Sequence, residues 1–226
     1  MATKKKRAAA PPQQIADLAR RLKKGLGRII VLRGEERWFV EEALKLIALR
    51  AEKEGLEISR HDMSDPEFSA PTLMDDLVAS PLFATERLVV ARNVEDMLKK
   101  QGKEHSALTR AVTAAVGDDT RGGCVVITCR KLRADHAICK LAVSVDGPVL
   151  ELRKLWDSPP PWKAGDPTEA ETVQWLLARA RQDEIRLDAR DAVYICAAVG
   201  NDLFALETAL EKLRHGGGKA IRELVG

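Results

Sequence analysis

Apolar positions along the chain fall into short continuous runs that alternate with longer stretches at helical spacing. Ile15, Leu18, Ala19 and Leu22 keep the period of an amphipathic helix, and Gly25 and Gly27 stop it. The run 28–33, Arg-Ile-Ile-Val-Leu-Arg, is β-branched and almost wholly apolar, which predicts a strand buried on both faces. Gly34 turns the chain into a helix reaching residue 54, carried by Phe39, Ala43, Leu46 and Ile47 and ended by Gly55. The same grammar then repeats, with strands at 57–61, 86–91, 124–129 and 148–152 and helices at 72–79, 107–115 and 134–143. Five short strands separated by helices predict an α/β fold, a parallel sheet with helices on both faces.

Between Trp156 and Pro167 the composition changes, and Pro159, Pro160 and Pro161 enforce an extended segment. Only helical patterns follow. Thr168 is expected to cap a helix carrying Val173, Leu176, Leu177 and Ala180, Asp188 one ending at Val199, and Asp202 a third reaching Leu213. The expected organisation is a disordered basic tail over 1–14, an α/β domain over 15–155, a Pro-rich linker over 156–167 and a small all-helical domain over 168–226. That last domain reads as truncated, since the sequence stops just after Gly216-Gly-Gly218 opens what reads as another helix.

The 226 residues are 45% hydrophobic and 31% charged, a balance that fits a globular chain and excludes a disordered or collagenous one. No apolar run approaches the ~18–20 residues of a membrane span, and residues 1–14 lack the apolar stretch of a secretory signal, so a cytoplasmic location is expected. Charge is unevenly spread. Residues 1–28 hold nine cations, opened by Lys4, Lys5, Lys6 and Arg7, against Asp17 alone; with the whole chain at +3, this +8 arm leaves −5 on the remainder. Such an arm can bind nucleic-acid phosphates by counterion release, or serve only as a solubilising tail. Aromatic residues, at 4%, are too few to build stacking platforms for single strands.

Candidate chemistry narrows quickly. Cys124, Cys129, His136 and Cys139 suggest zinc, but five residues of strand would put Cys124 and Cys129 on opposite faces, ~16 Å apart; no metal site is expected, and the cysteines are read as core hydrophobes of a reducing compartment. A phosphate cradle belongs in the turn after the first strand, where glycine amides, a Lys and a Ser/Thr would converge. That turn reads Arg33-Gly34-Glu35-Glu36-Arg37-Trp38 and presents two carboxylates instead. His61, His105, His136 and His215 lack metalloprotease spacing, and the adjacent acids Glu41-Glu42, Asp75-Asp76 and Asp118-Asp119 read as solvated surface. No catalytic residue, nucleotide site or cofactor is expected. The segment Ser80-Pro81-Leu82-Phe83 is informative differently: Leu82 and Phe83 are adjacent large side chains between a helix and a strand, either core under that loop or an exposed anchor for a partner's pocket.

Taken in order, Leu22 to Gly25, Leu32-Arg-Gly-Glu-Glu36, Ser80-Pro-Leu-Phe83, Arg87-Leu-Val-Val90, Val126-Ile-Thr128, Lys131-Leu132, Trp175-Leu176, Val199-Gly-Asn-Asp-Leu203 and the helix from Leu206 to Leu213 resemble the delta subunit of the bacterial DNA polymerase III clamp loader. The resemblance runs from Ile15 to Ile221; Arg133 departs from it, standing where the family has an acidic residue after Lys-Leu. It implies an AAA+/RecA-like sheet domain followed by a helical lid, without a P-loop. It further implies a subunit that binds the sliding clamp and opens or holds open its ring for loading onto primed DNA, with Leu82 and Phe83, flanked by Ser80 and Pro81, entering the clamp. The implied partners are the clamp (beta subunit), the motor subunits and delta prime, and primed DNA; no membrane is implied, and any enzymatic activity is that of the holoenzyme. Family members continue into a collar domain, which this sequence ends before. Two alternatives stand beside this one: an AAA+ ATPase subunit with a degenerate nucleotide site, and a DNA-binding module acting through Lys4, Lys5, Lys6 and Arg7.

Overall fold

The computed structural model describes residues 9–78, 86–99, 104–118, 123–160 and 165–215. Contacts divide the chain between Arg153 and Lys154 into two compact units. The first holds β1 (Ile29–Arg33), β2 (Glu57–Asp62), β3 (Arg87–Arg92), β4 (Gly123–Cys129) and β5 (Val149–Glu151), all parallel in the order β2-β3-β4-β1-β5. Its helices are α1 (Pro11–Leu22), α2 (Arg37–Lys53), α3 (Ala70–Val78), α4 (Ala107–Gly117) and α5 (Ala137–Ser144).

The strand order and the right-handed crossover rule assign each helix to a face. From β1 the chain travels in one direction to reach β2, whereas β2 to β3, β3 to β4 and β4 to β5 run in the other; right-handed connections therefore place α2 opposite α3, α4 and α5. Packing agrees. Ile29, Val31, Val89, Ala91, Val125, Ile127 and Cys129 form one cluster with Leu73 and Leu77 of α3, Leu108 and Val112 of α4, and Ile138 and Cys139 of α5. Alternate residues, Ile30, Leu32, Leu88, Val90, Cys124 and Val126, are buried toward the other face, where α1 packs on α2. Because β1 lies between β4 and β5 and is covered on both faces, Ile29 through Leu32 are completely buried, as a continuous apolar run requires.

Helix α1 begins at Pro11, inside the stretch expected to be a disordered tail and four residues before the first apolar periodic position, because proline is preorganised for the first turn and has no N–H to leave unpaired. Gln14 then ties it to the sheet edge, its Oε1 accepting from Glu151 N at 2.7 Å and its Nε2 donating to Glu151 O at 2.9 Å.

The second unit contains α6 (Glu171–Gln182), α7 (Ala189–Val199) and α8 (Leu203–His215), around a core of Val173, Leu176, Ala180, Ala192, Ile195, Leu203, Leu206 and Leu210. Asp188 caps α7 by accepting from Asp191 N at 2.8 Å, and Asp202 caps α8 by accepting from Phe204 N at 3.0 Å, as the sequence indicates. Thr168 does not act as a cap. Asp166 does, taking both the N–H and the hydroxyl of Thr168 and opening one 3-10 turn ahead of α6. Trp156, at the head of the Pro-rich stretch, is tied into this unit, its N–H donating to Glu171 at 3.0 Å and its carbonyl accepting from Thr172 N at 3.2 Å.

At Gly34 the backbone has φ +135°, and a Cβ there would lie 2.2 Å from the Leu152 carbonyl oxygen. Left-handed strain and overpacking against immovable backbone combine, so Gly34→Ala is expected to cost about 2–6 kcal/mol in urea unfolding. At Gly27, φ +71° with nothing within 4 Å, the same change should cost about 1 kcal/mol.

Candidate functional site

Strands β1 and β4 are neighbours whose connecting helices leave toward opposite faces. This makes a topological switch point, where open α/β sheets bind ligands at the strands' C-terminal ends. Chain groups fill much of it. Gly34 N donates to Cys129 O at 3.0 Å and Glu36 N to Leu152 O at 3.0 Å, which hold the turn down between β4 and β5. Glu36 is 6% exposed and caps α2, its Oε1 accepting from Trp38 N at 3.3 Å, so a carboxylate stands at the helix N-terminus where an incoming anion would otherwise be favoured. Glu35 is exposed and reaches toward Lys131 Nζ at 3.8 Å.

Beside this turn lies a polar cavity of about 230 Å³ lined by Gly34, Arg37, Glu41, Asp62, Arg92 and Asn93, among others. Arg92 pairs with Glu41, and its Nε lies 3.5 Å from Asp62 Oδ2; Asn93 donates to Asp62 Oδ1 at 2.8 Å and its N–H reaches Thr128 Oγ1 at 3.2 Å. The volume is below the roughly 300–1,000 Å³ of typical small-molecule pockets. An open groove of about 890 Å³ runs nearby along Glu95, Lys99, Arg130, Leu132, Arg133 and His136, and its charges are partly satisfied by the pairs Lys99–Asp96 at 2.5 Å and Arg133–Asp135 at 2.9 Å.

Ser80, Pro81, Leu82 and Phe83 lie outside the described residues, as do Lys4, Lys5, Lys6 and Arg7. α3 ends on Val78, 65% exposed, and β3 begins at Arg87. At this corner Asp76 is the shared acceptor: Arg87 Nη1 donates to its Oδ1 at 2.7 Å, while Ser59 Oγ and His61 Nε2 both meet its Oδ2, the latter at 2.7 Å. Arg87 Nη2 also holds Glu57 at 2.9 Å. Ser, His and Asp converge here without forming a nucleophile relay, because Ser59 spends its proton on the carboxylate and one ring nitrogen of His61 faces both partners.

This corrects the reading of the paired acids as solvated surface. Asp76 and Glu41 are partly buried and partnered, while Asp75 is exposed. The missed signal was alternation: Ser59 and His61, two apart on β2, share a face. The two cysteines of β4 face opposite sides of the sheet. Cys129 lies by Cys139, whereas Cys124 faces the side near Glu54, and burial pushes both thiols well up, aided by those neighbours. No cluster of three or more potential metal ligands occurs among the described residues, and no helix among them is long and apolar enough to cross a membrane.

A parallel sheet in the order β2-β3-β4-β1-β5, followed by a separate helical unit, is the α/β fold of the AAA+ type. Among solved structures, the chain is similar to the Bacillus subtilis DNA clamp loader delta protein (YqeN), with 19% identity and TM-score 0.59, over 91% of this chain and 58% of that one. It is similar to AMPPCP-bound DnaA from Aquifex aeolicus at 11% identity and TM-score 0.54, over 93% and 64% of the two chains. Domain III of the Thermotoga maritima replication initiation protein DnaA matches at 12% identity and TM-score 0.51, over 97% and 91%. These identities establish a shared fold, and the chain spans less than two thirds of the first two proteins. No protein-family model and no curated protein matches the sequence.

Burial works to raise the pKa of Asp62, but hydrogen bonds from Ser64 and Asn93 and the Arg92 charge hold it below the ordinary aspartate value of 3.8. Asp76 is lowered in the same way, burial being outweighed by Ser59, His61 and Arg87. Unfolded, both carboxylates bind protons at higher pH than when folded, so their stabilisation is complete above the unfolded value and lost as pH falls through the folded one. The urea midpoint should therefore drop between about pH 5 and pH 3, and the Asp62→Asn/Asp76→Asn variant should show a shallower drop.

Proposed function

We propose that this chain is a clamp-loader delta-type subunit: it binds the ring-shaped DNA sliding clamp and opens or holds open one interface of the ring for loading onto primed DNA, while sibling subunits hydrolyse ATP. The observation that carries the reading is the buried Glu36 carboxylate capping α2 at the turn where an AAA+ fold would bind phosphates. With a carboxylate there, the fold's use lies in presenting a surface. The similarity to a clamp loader delta protein over 91% of the chain supports the same assignment. Leu82 and Phe83, with Ser80 and Pro81 before them, supply the contact, entering an apolar pocket of the clamp; exposed Val78 extends apolar surface up to the start of that segment. The working partners are the clamp, the motor subunits, delta prime and primed DNA, in the cytoplasm, with Lys4, Lys5, Lys6 and Arg7 available to DNA phosphates. The subunit carries no catalytic centre, metal or cofactor of its own.

Burying each of the two side chains is worth ~1.5–3 kcal/mol, and so the pair supplies roughly 3–6 of the about 8 kcal/mol of a micromolar complex before ordering costs. Leu82→Ala/Phe83→Ala should weaken binding to the organism's own clamp by about 100-fold or more in surface plasmon resonance, with an unchanged melting temperature. Normal binding by a folded double variant would place the contact elsewhere.

The likeness to a DnaA bound to AMPPCP favours a second reading, a nucleotide-binding AAA+ subunit with a degenerate site. Calorimetry with ATP and Mg²⁺ separates the two: the delta reading expects no binding heat, and micromolar binding would favour the alternative.

A further inference from the structure

We propose that Ser59, His61, Asp76 and Arg87 form a positioning site that clasps the two ends of segment 79–85 and so fixes where Leu82 and Phe83 are presented; this rests on the clamp-contact reading above. Asp76 lies in the last turn of α3 and Arg87 opens β3, so their 2.7 Å ion pair closes a ring over the ten residues between them. The other oxygen of Asp76 takes Ser59 and His61 from β2. One carboxylate thus joins β2, α3 and β3, and three donors determine the direction of the final turn of the helix. The departing end is fixed as well, because Glu57 N donates to Glu86 O at 3.1 Å and Arg87 Nη2 holds Glu57.

Helix stability does not explain this arrangement. α3 carries Asp75 and Asp76 in its last turn and no basic residue there, although the negative end of the helix dipole disfavours carboxylates. Nor is the cluster needed to hold α3 on the sheet, which completely buried Leu73 and nearly completely buried Leu77 already do. Partly exposed ion pairs add little to global stability. Their effect here is local: they fix the last turn of α3 and the first residue of β3 against β2, and so set where the chain leaves the helix and where it re-enters the sheet.

The experiment measures association and dissociation rates of the full chain with the sliding clamp ring of the same organism, beside thermal unfolding. Asp76→Asn keeps the shape but removes the charge that Arg87 and His61 share. Its Kd should rise about five- to twenty-fold, mostly through a slower association rate, because a smaller fraction of molecules presents the contact correctly. Its melting temperature should stay within about 4 °C of the parent. Arg87→Met should reproduce the defect, Arg87→Lys should recover most of it, and Asp76→Asn/Arg87→Met should be no worse than either single change. Parental association rates in Asp76→Asn and Arg87→Met overturn the clasp. If Asp76→Asn melts lower than expected, the comparison of Arg87→Met with Arg87→Lys, made well below either melting temperature, decides by the same criterion. Leu82→Ala/Phe83→Ala on the same surface separates the two levels: normal binding there overturns the clamp contact and the clasp together, whereas weakened binding there with parental Asp76→Asn kinetics overturns the clasp alone.

Discussion

The chain leaves β1 through a turn in which Gly34 approaches the Leu152 carbonyl too closely for any side chain, and this contact delivers Glu36 to the first turn of α2. The backbone is held to β4 through Cys129 and to β5 through Leu152, so the turn is part of the sheet's central frame. From this one placement follow the capped start of α2 and the carboxylate at the switch point. A fold whose common use is to bring helix amides to phosphates here brings them to its own side chain. Arg92, which could otherwise face an anionic ligand, is paired with Glu41 and Asp62.

The frame was legible in the sequence because burial on both faces leaves a strong mark. Ile29 to Leu32 and Cys124 to Ile127 read as continuous apolar runs, and the helices between them kept their period, so five strands and the helices of both units could be placed from pattern alone. The acidic turn was legible too, since its meaning depends on residue type at a fixed place after a strand. Capping was legible where an Asp directly preceded its helix, at Asp188 and Asp202, and misread at Thr168, where Asp166 two residues earlier captures the hydroxyl that would have served as a cap.

What pattern could not supply was pairing across the fold. Asp75 and Asp76 look alike in the sequence, yet one faces solvent and the other gathers donors from two strands; Glu41 differs from its surface appearance only because β3 delivers Arg92 to it. These partners are separated by 11 to 51 positions, and no local signal joins them. The polar fixings therefore concentrate at the sheet's C-terminal edge and at the corner of β2, α3 and β3, while apolar packing supplies the rest of the frame.

The proposed clamp contact lies at the corner after Val78 of an AAA+-type sheet whose first turn carries the Glu36 carboxylate. Hydrogen–deuterium exchange of the full chain, with and without a saturating amount of clamp ring, tests it most directly. Slowed exchange in peptides covering 78–87, with the amides of β1, β4 and the start of α2 unchanged, is the expected result. Clamp binding that leaves 78–87 unprotected and instead slows exchange in another part of the surface would contradict it.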